Sequence, residues 1–187
     1  MRSVETVQAK LDSDSISNVH IFAGDMADIA SLEKAALEVS KITQSVDYLI
    51  VNGAYVPLKT AGLHPSGFTS RAKAAELKEE MGDALNVNVV GVIYTINAFL
   101  PLVRRGSAKK ITVISSGQAD LDLVVPHSIP GFVVYASIKA ATNMVVAKYA
   151  VELKDEGITV LALSPGIVNT QEGLGMISTG DWDKILG

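Results

Sequence analysis

K-I-T-V-I-S-S-G at residues 110–117 and Y-A-S-I-K at residues 135–139 decide how this chain reads. The β-branched run Ile111 to Ile114 predicts a strand that ends in two serines, Ser115 and Ser116. A loop follows, and then Tyr135 opens a helix. Lys139, four residues on, falls on the same helix face about one turn away. A phenol beside an ammonium is a plausible proton donor, because the positive charge favours the phenolate left behind. A serine hydroxyl at the strand end would hold a substrate carbonyl beside it. The pair alone also fits a bland account, with an aromatic packed at a helix start and a solvated lysine. Its meaning rests on what surrounds it.

Upstream, Val4 to Leu11 has apolar residues at helical spacing. Val19 to Ala23 (V-H-I-F-A) reads as a first strand stopping at Gly24-Asp25. Asp28 caps a helix with the stripe Leu32, Ala35, Ala36, Val39 and Ile42. Val46 to Val51 is a second strand running into Asn52-Gly53-Ala54. A long helical stretch from Ser70 to Arg105, interrupted near Gly82, carries Leu85, Val89, Val92, Ile93, Ile96, Phe99, Leu100 and Val103. The third strand is Ile111 to Ser116. The helix after it, Val134 to Asp155, presents Ala140, Met144, Ala147 and Val151 to the core and stops near Gly157. Ile158 to Leu163 is the fourth strand, ending at Pro165-Gly166. Continuously apolar strands alternating with helices predict an α/β fold, a Rossmann-like parallel sheet flanked by helices, in a single domain over residues 1–187. Ligands of such sheets sit at the carboxyl ends of the strands. There the polar residues collect: Asp25, Asn52, Ser116, Asn169 and Thr170.

Bulk composition narrows the function. The chain has 187 residues, 48% hydrophobic and 19% charged, with net charge −4. These values predict a well-buried core and give no electrostatic footprint for nucleic acid. There is no cysteine, which excludes disulfides and thiolate metal ligands. His20, His64 and His127 are scattered without metal-ligand spacing, so no metal is expected; His127 is the one histidine placed near a substrate loop. No uninterrupted apolar run or signal-peptide segment stands out, so a cytoplasmic protein without a membrane span is the expectation.

Taken jointly and in order, the motifs resemble the short-chain dehydrogenase/reductase family, and within it the fungal and sniffer-like carbonyl or polyketide ketoreductases. Ser116, Tyr135 and Lys139 match that family's catalytic serine, tyrosine and lysine. Asn88, in N-V-V-G, matches the helix asparagine that orders a proton-relay water. Asp25 and Met26, in G-D-M-A-D, resemble the segment that contacts the cofactor adenine. V-N-G-A (Val51 to Ala54) resembles N-N-A-G, with Asn52 matching outright and Gly53-Ala54 in inverted order. Pro165, Gly166, Val168 and Thr170 resemble the P-G-x-V-x-T segment lining the nicotinamide, and Arg2 falls where a basic residue selects the 2′-phosphate of NADP. The resemblance implies an NADP(H)-dependent oxidoreductase interconverting a carbonyl and an alcohol, with NAD(H) the alternative cofactor. The apolar loop Leu121 to Pro130 hints at a hydrophobic small-molecule substrate.

The chain departs from the family's pattern at both ends. The T-G-x-x-x-G-I-G turn that lays a pyrophosphate on a helix N-terminus is absent from the sequence, and residues 171–187 are an atypical tail. Relative to the family the chain reads as N- and C-terminally truncated. It is then a part of a longer enzyme, a four-stranded sheet closed by Val19 to Ala23 moving beside the second strand, or a sheet completed by another chain. In the four-stranded case the three main helices share one face, leaving Val4 to Leu11 for the other, and dimerisation is expected to hide that face. The alternative function is a protein of this descent without redox activity: a binding partner, or a cofactor-independent isomerase or cyclase using the same Tyr135-Lys139 pair.

Overall fold

The computed structural model describes residues 4–166. Three parallel strands, β1 (Tyr48–Val51), β2 (Lys110–Ile114) and β3 (Thr159–Leu163), lie in the order β1-β2-β3. Around them run α1 (Val4–Ser13), α2 (Ile29–Ile42), α3 (Arg71–Leu85), α4 (Gly91–Arg104), the short α5 (Leu121–Val124) and α6 (Val133–Glu152). Parallel pairing through helical crossovers is the expected Rossmann-like arrangement.

The register pairs Val51 with Val113, and Ile111 with both Leu49 and Val160. Those side chains share one face and join Val92, Ile96, Leu100 and Val103 of α4 and Val146 and Tyr149 of α6 in a single core. Asp28 caps α2 as expected, accepting from the Ala30 N–H at 2.9 Å. Ser70 caps α3 through the Lys73 N–H. Gly106 is fixed by packing: a Cβ there would meet the Val46 carbonyl oxygen.

Three expectations are corrected. Val19 to Ala23 is irregular, none of its side chains is buried, and the sheet has three described strands rather than four. A parallel strand needs ladder partners and two covered faces, and this run finds neither. The break in the long helix falls at Asn86–Val90, a π-helical turn, and Gly82 sits inside α3. The break follows the buried asparagine, not the glycine. In α6 the stripe Ala140, Met144, Ala147 and Val151 faces out, with Met144 61% and Val151 77% exposed, while Ile138, Thr142, Val146 and Tyr149 are buried. This helix is apolar on two sides, so periodicity alone allows either. The face that packs has partners for its polar atoms: Thr142 donates to the Ile138 carbonyl and the Tyr149 hydroxyl to Asn97.

By length and composition Arg71–Arg104 could cross a membrane. Its apolar residues Val92, Ile96, Leu100 and Val103 are instead buried in the core. The opposite face of the sheet is open: Tyr48 is 62% and Ile50 63% exposed, and Leu161 and Leu163 are exposed beside them. Lys110 lies 5.9 Å from the Tyr48 ring centroid on that face. Helix α1, expected to cover it, buries none of its residues.

Candidate active site

The parallel register brings the carboxyl ends of the three strands together. The Ser115 N–H donates to the Leu163 carbonyl at 2.8 Å, and a Cβ on Gly117 would lie 3.8 Å from Ser164 Oγ. Ser116 lies two residues beyond β2 and caps the turn Gly117–Ala119, accepting from the Gln118 N–H at 3.2 Å. Its neighbour Ser115 turns inward and donates to Asn143 Oδ1.

Helix α6 begins after Phe132, whose backbone is left-handed (φ 56°). Tyr135 is therefore in the first turn, half-buried, and Lys139 follows one turn later. The Lys139 ammonium is 5.7 Å from the Tyr135 ring centroid. Only 5% of Lys139 is exposed, and its Nζ donates to the Ile114 carbonyl at 2.7 Å, two residues before Ser116. Burial holds its pKa below the ordinary lysine value. An ammonium has three donors and the described residues fill one. Among the described residues the buried Gln118 side-chain oxygen has no hydrogen-bond partner. The remaining donors of Lys139 suit a ligand hydroxyl.

Other expected residues are placed as follows. Asn88 is buried, and its amide pairs with the backbone of Tyr55, accepting from the N–H and donating to the carbonyl, both at 2.8 Å. Its side chain is thereby committed to structure, and its own carbonyl accepts from Thr142 Oγ1. Asp25 Oδ1 accepts from the Ala27 N–H, two residues on, at 2.9 Å. Met26 meets both glycines of the expected motifs. A Cβ on Gly53 would lie 2.6 Å from Met26 Sδ, and one on Gly91 2.5 Å from the Met26 carbonyl oxygen. Asn52, Gly53 and Ala54 are exposed at the end of β1. Gly166 adopts φ 73°, a conformation that favours glycine, directly after Pro165. Arg2, Val168 and Thr170 lie outside the described residues. His127 Nδ1 lies 2.9 Å from the Leu123 carbonyl oxygen, in its own loop. No group of acidic or histidine side chains fit for a metal occurs among the described residues.

Sequence reasoning missed Thr142, Asn143 and Gln118. Thr142 was detectable: it stands three residues after Lys139, on the same face of the helix. Gln118 carried no signal beyond its closeness to Ser116.

Residues 2–174 match the family model for short-chain dehydrogenases. The chain is 42% identical over 154 residues to the short-chain dehydrogenase/reductase iacC of Pestalotiopsis fici, covering 81% of this chain and 56% of that protein. It is 39% identical over 171 residues to the short-chain dehydrogenase/reductase atnB of an Arthrinium species, covering 91% and 64%. In fold it is similar to the NADPH-bound carbonyl reductase from chicken fatty liver, with TM-score 0.73, 20% identity and coverage of 99% and 76%. The chain spans about three-fifths of the length of those two fungal relatives. By the family match and these relatives, the chain belongs to the short-chain dehydrogenase family.

Proposed function

We propose that this chain carries the catalytic centre of an NADP(H)-dependent reductase that interconverts a small hydrophobic carbonyl compound and its alcohol. The observation that carries the reading is the buried Lys139 ammonium, which lies beside Tyr135 and is bonded to the strand end that presents Ser116. A lysine this buried is costly to keep unless its charge is used.

The residues that would hold the dinucleotide are Asp25 and Met26, the β1 end Asn52-Gly53-Ala54, Tyr135 and Lys139, and Pro165-Gly166. Arg2, Val168 and Thr170 complete the set from the sequence, and the preference for NADP over NAD rests on Arg2. When bound, the nicotinamide supplies the hydride. Tyr135 gives its phenolic proton to the carbonyl oxygen, and Lys139 supports the resulting phenolate electrostatically. The Ser116 hydroxyl holds the carbonyl oxygen by a donated hydrogen bond, and Asn88 keeps the adjoining loop in place. Leu121 and Val125 are exposed on the loop after Ser116, while Leu123 packs 3.5 Å from a Cβ built on Gly117. That apolar loop favours a hydrophobic substrate.

A second copy of the chain on the exposed sheet face of Tyr48, Ile50, Leu161 and Leu163 is part of the same proposal, since a parallel sheet ordinarily has both faces covered. Fluorescence titration with NADPH tests the reading. Saturable binding is expected, with Tyr135→Phe removing turnover and leaving affinity nearly intact. No saturable binding up to millimolar NADPH would reject it.

A further inference from the structure

We infer that Glu80 is a positioning residue for Tyr135, acting through the segment around Thr60. The inference rests on Tyr135 being the proton donor proposed above. Glu80, on α3, is 1% exposed, and so is Thr60. The two carboxylate oxygens accept three hydrogen bonds: from the Lys59 N–H at 2.9 Å, the Thr60 N–H at 2.9 Å and the Thr60 hydroxyl at 2.5 Å. A buried carboxylate with this many donors fixes its partners firmly, because leaving any of them unpaired is expensive.

What Glu80 fixes touches the start of the catalytic helix. The next residue, Ala61, accepts through its carbonyl from the Phe132 N–H at 2.9 Å. Phe132 is the left-handed residue preceding α6, and its carbonyl in turn accepts from the Ala136 N–H at 2.9 Å, closing the turn that contains Tyr135. A Cβ on Gly131 would already lie 3.4 Å from the Ala61 oxygen, so the two backbones are closely apposed. A small apolar cluster backs the same junction: Ala84 of α3 packs with Val134 and Ile138 of α6, and Leu77, Met81 and Tyr55 close around them. A non-glycine residue at positive φ is held by its surroundings rather than by preference. Here the surroundings are Ala61, and behind it Glu80. The chain of contacts runs Glu80, Thr60, Ala61, Phe132, Tyr135.

Hydrogen–deuterium exchange on the full chain tests this in wild type, Thr60→Val, Thr60→Ser and Glu80→Gln. Thr60→Val keeps the shape and the carboxylate but removes one bond, and decides the matter should Glu80→Gln not fold. Exchange in residues 131–138 is expected to quicken about tenfold in Thr60→Val. It should return to the wild-type rate in Thr60→Ser and stay unchanged in β2. In ketone reduction, Thr60→Val should lower kcat about tenfold with KM within about twofold, and Thr60→Ser should recover it. Unchanged exchange at 131–138, failure of serine to rescue, or equal acceleration everywhere would overturn the inference. A Tyr135→Phe variant that still reduces ketone would sink the proton-donor role of Tyr135, while the exchange data judge the contact chain by themselves.

Discussion

The two faces of the sheet differ sharply although the strands that make them are equally apolar. On one face Val51, Ile111, Val113 and Val160 are buried under α4 and α6. On the other, alternate residues of the same strands, Tyr48, Ile50, Leu161 and Leu163, are exposed. The difference shows where the chain's stability is lodged. The covered face carries the core, and the helix lying on it delivers Tyr135 and Lys139 to the strand ends. The open face contributes pairing and little else.

The comparison breaks most simply by charging each face. Ile111 has no exposure, and Ile111→Asp should cost about 4 kcal/mol or more and leave the chain unfolded in urea melts. Ile50→Asp should change the stability of the isolated chain by no more than about 0.5 kcal/mol, and, with a second copy seated on this face as proposed, it should dissociate the dimers that sedimentation shows for wild type. Wild type that sediments as a monomer would mean that the face stays open to water.

Next in size are two glycines on one long helical path. Gly91→Ala pushes a methyl into the Met26 backbone at 2.5 Å and should cost about 2 kcal/mol. Gly82→Ala meets nothing within 4 Å and should gain up to about 1 kcal/mol. Thermal melts of both variants check the pair; equal effects would mean that the junction between Met26 and α4 is looser than described.

Lys139 sharpens the comparison through pH. Burial lowers its pKa from 10.5, so between the lowered value and 10.5 the unfolded chain binds more protons than the folded one. Wild-type stability should therefore rise with pH across that window relative to Lys139→Met, which lacks the titrating group. A constant difference between the two melts would mean the ammonium is not buried. The smallest effect belongs to the surface. Arg104 holds Glu156 through paired bonds at 2.7 and 2.8 Å and keeps that carboxyl below its ordinary pKa. Its contribution is present above the ordinary carboxylate value and is lost as pH falls through the lowered one. Arg104→Gln should therefore shift the melt slightly at neutral pH, less at high salt and not at all in acid.

The sequence told most where a residue's chemistry and its period agreed. Ile111 to Ile114 has one reading, and Tyr135 with Lys139 falls at helical spacing just beyond it, so strand, helix and candidate site were all legible there. Val19 to Ala23 looked equally strand-like, but pairing is a property of neighbours, which composition does not record. α6 misled for the opposite reason. Apolar on two sides, it let Met144 and Val151 pose as core, and only the partners of Thr142 and Tyr149 decide which side packs. Asn88 stands out in the sequence as polar inside an apolar stripe. Its actual engagement, with the backbone of Tyr55 thirty-three residues away, is a tertiary fact.

The central claim is that the covered side delivers a working proton donor. Its most direct test is isotope transfer from NADPH carrying deuterium at the transferable position to an aryl ketone, followed by mass analysis of the alcohol. Deuterium is expected on the carbinol carbon with wild type and none with Tyr135→Phe, at matching NADPH affinities. Equal deuteration by both proteins, or none from either without saturable NADPH binding, would contradict it.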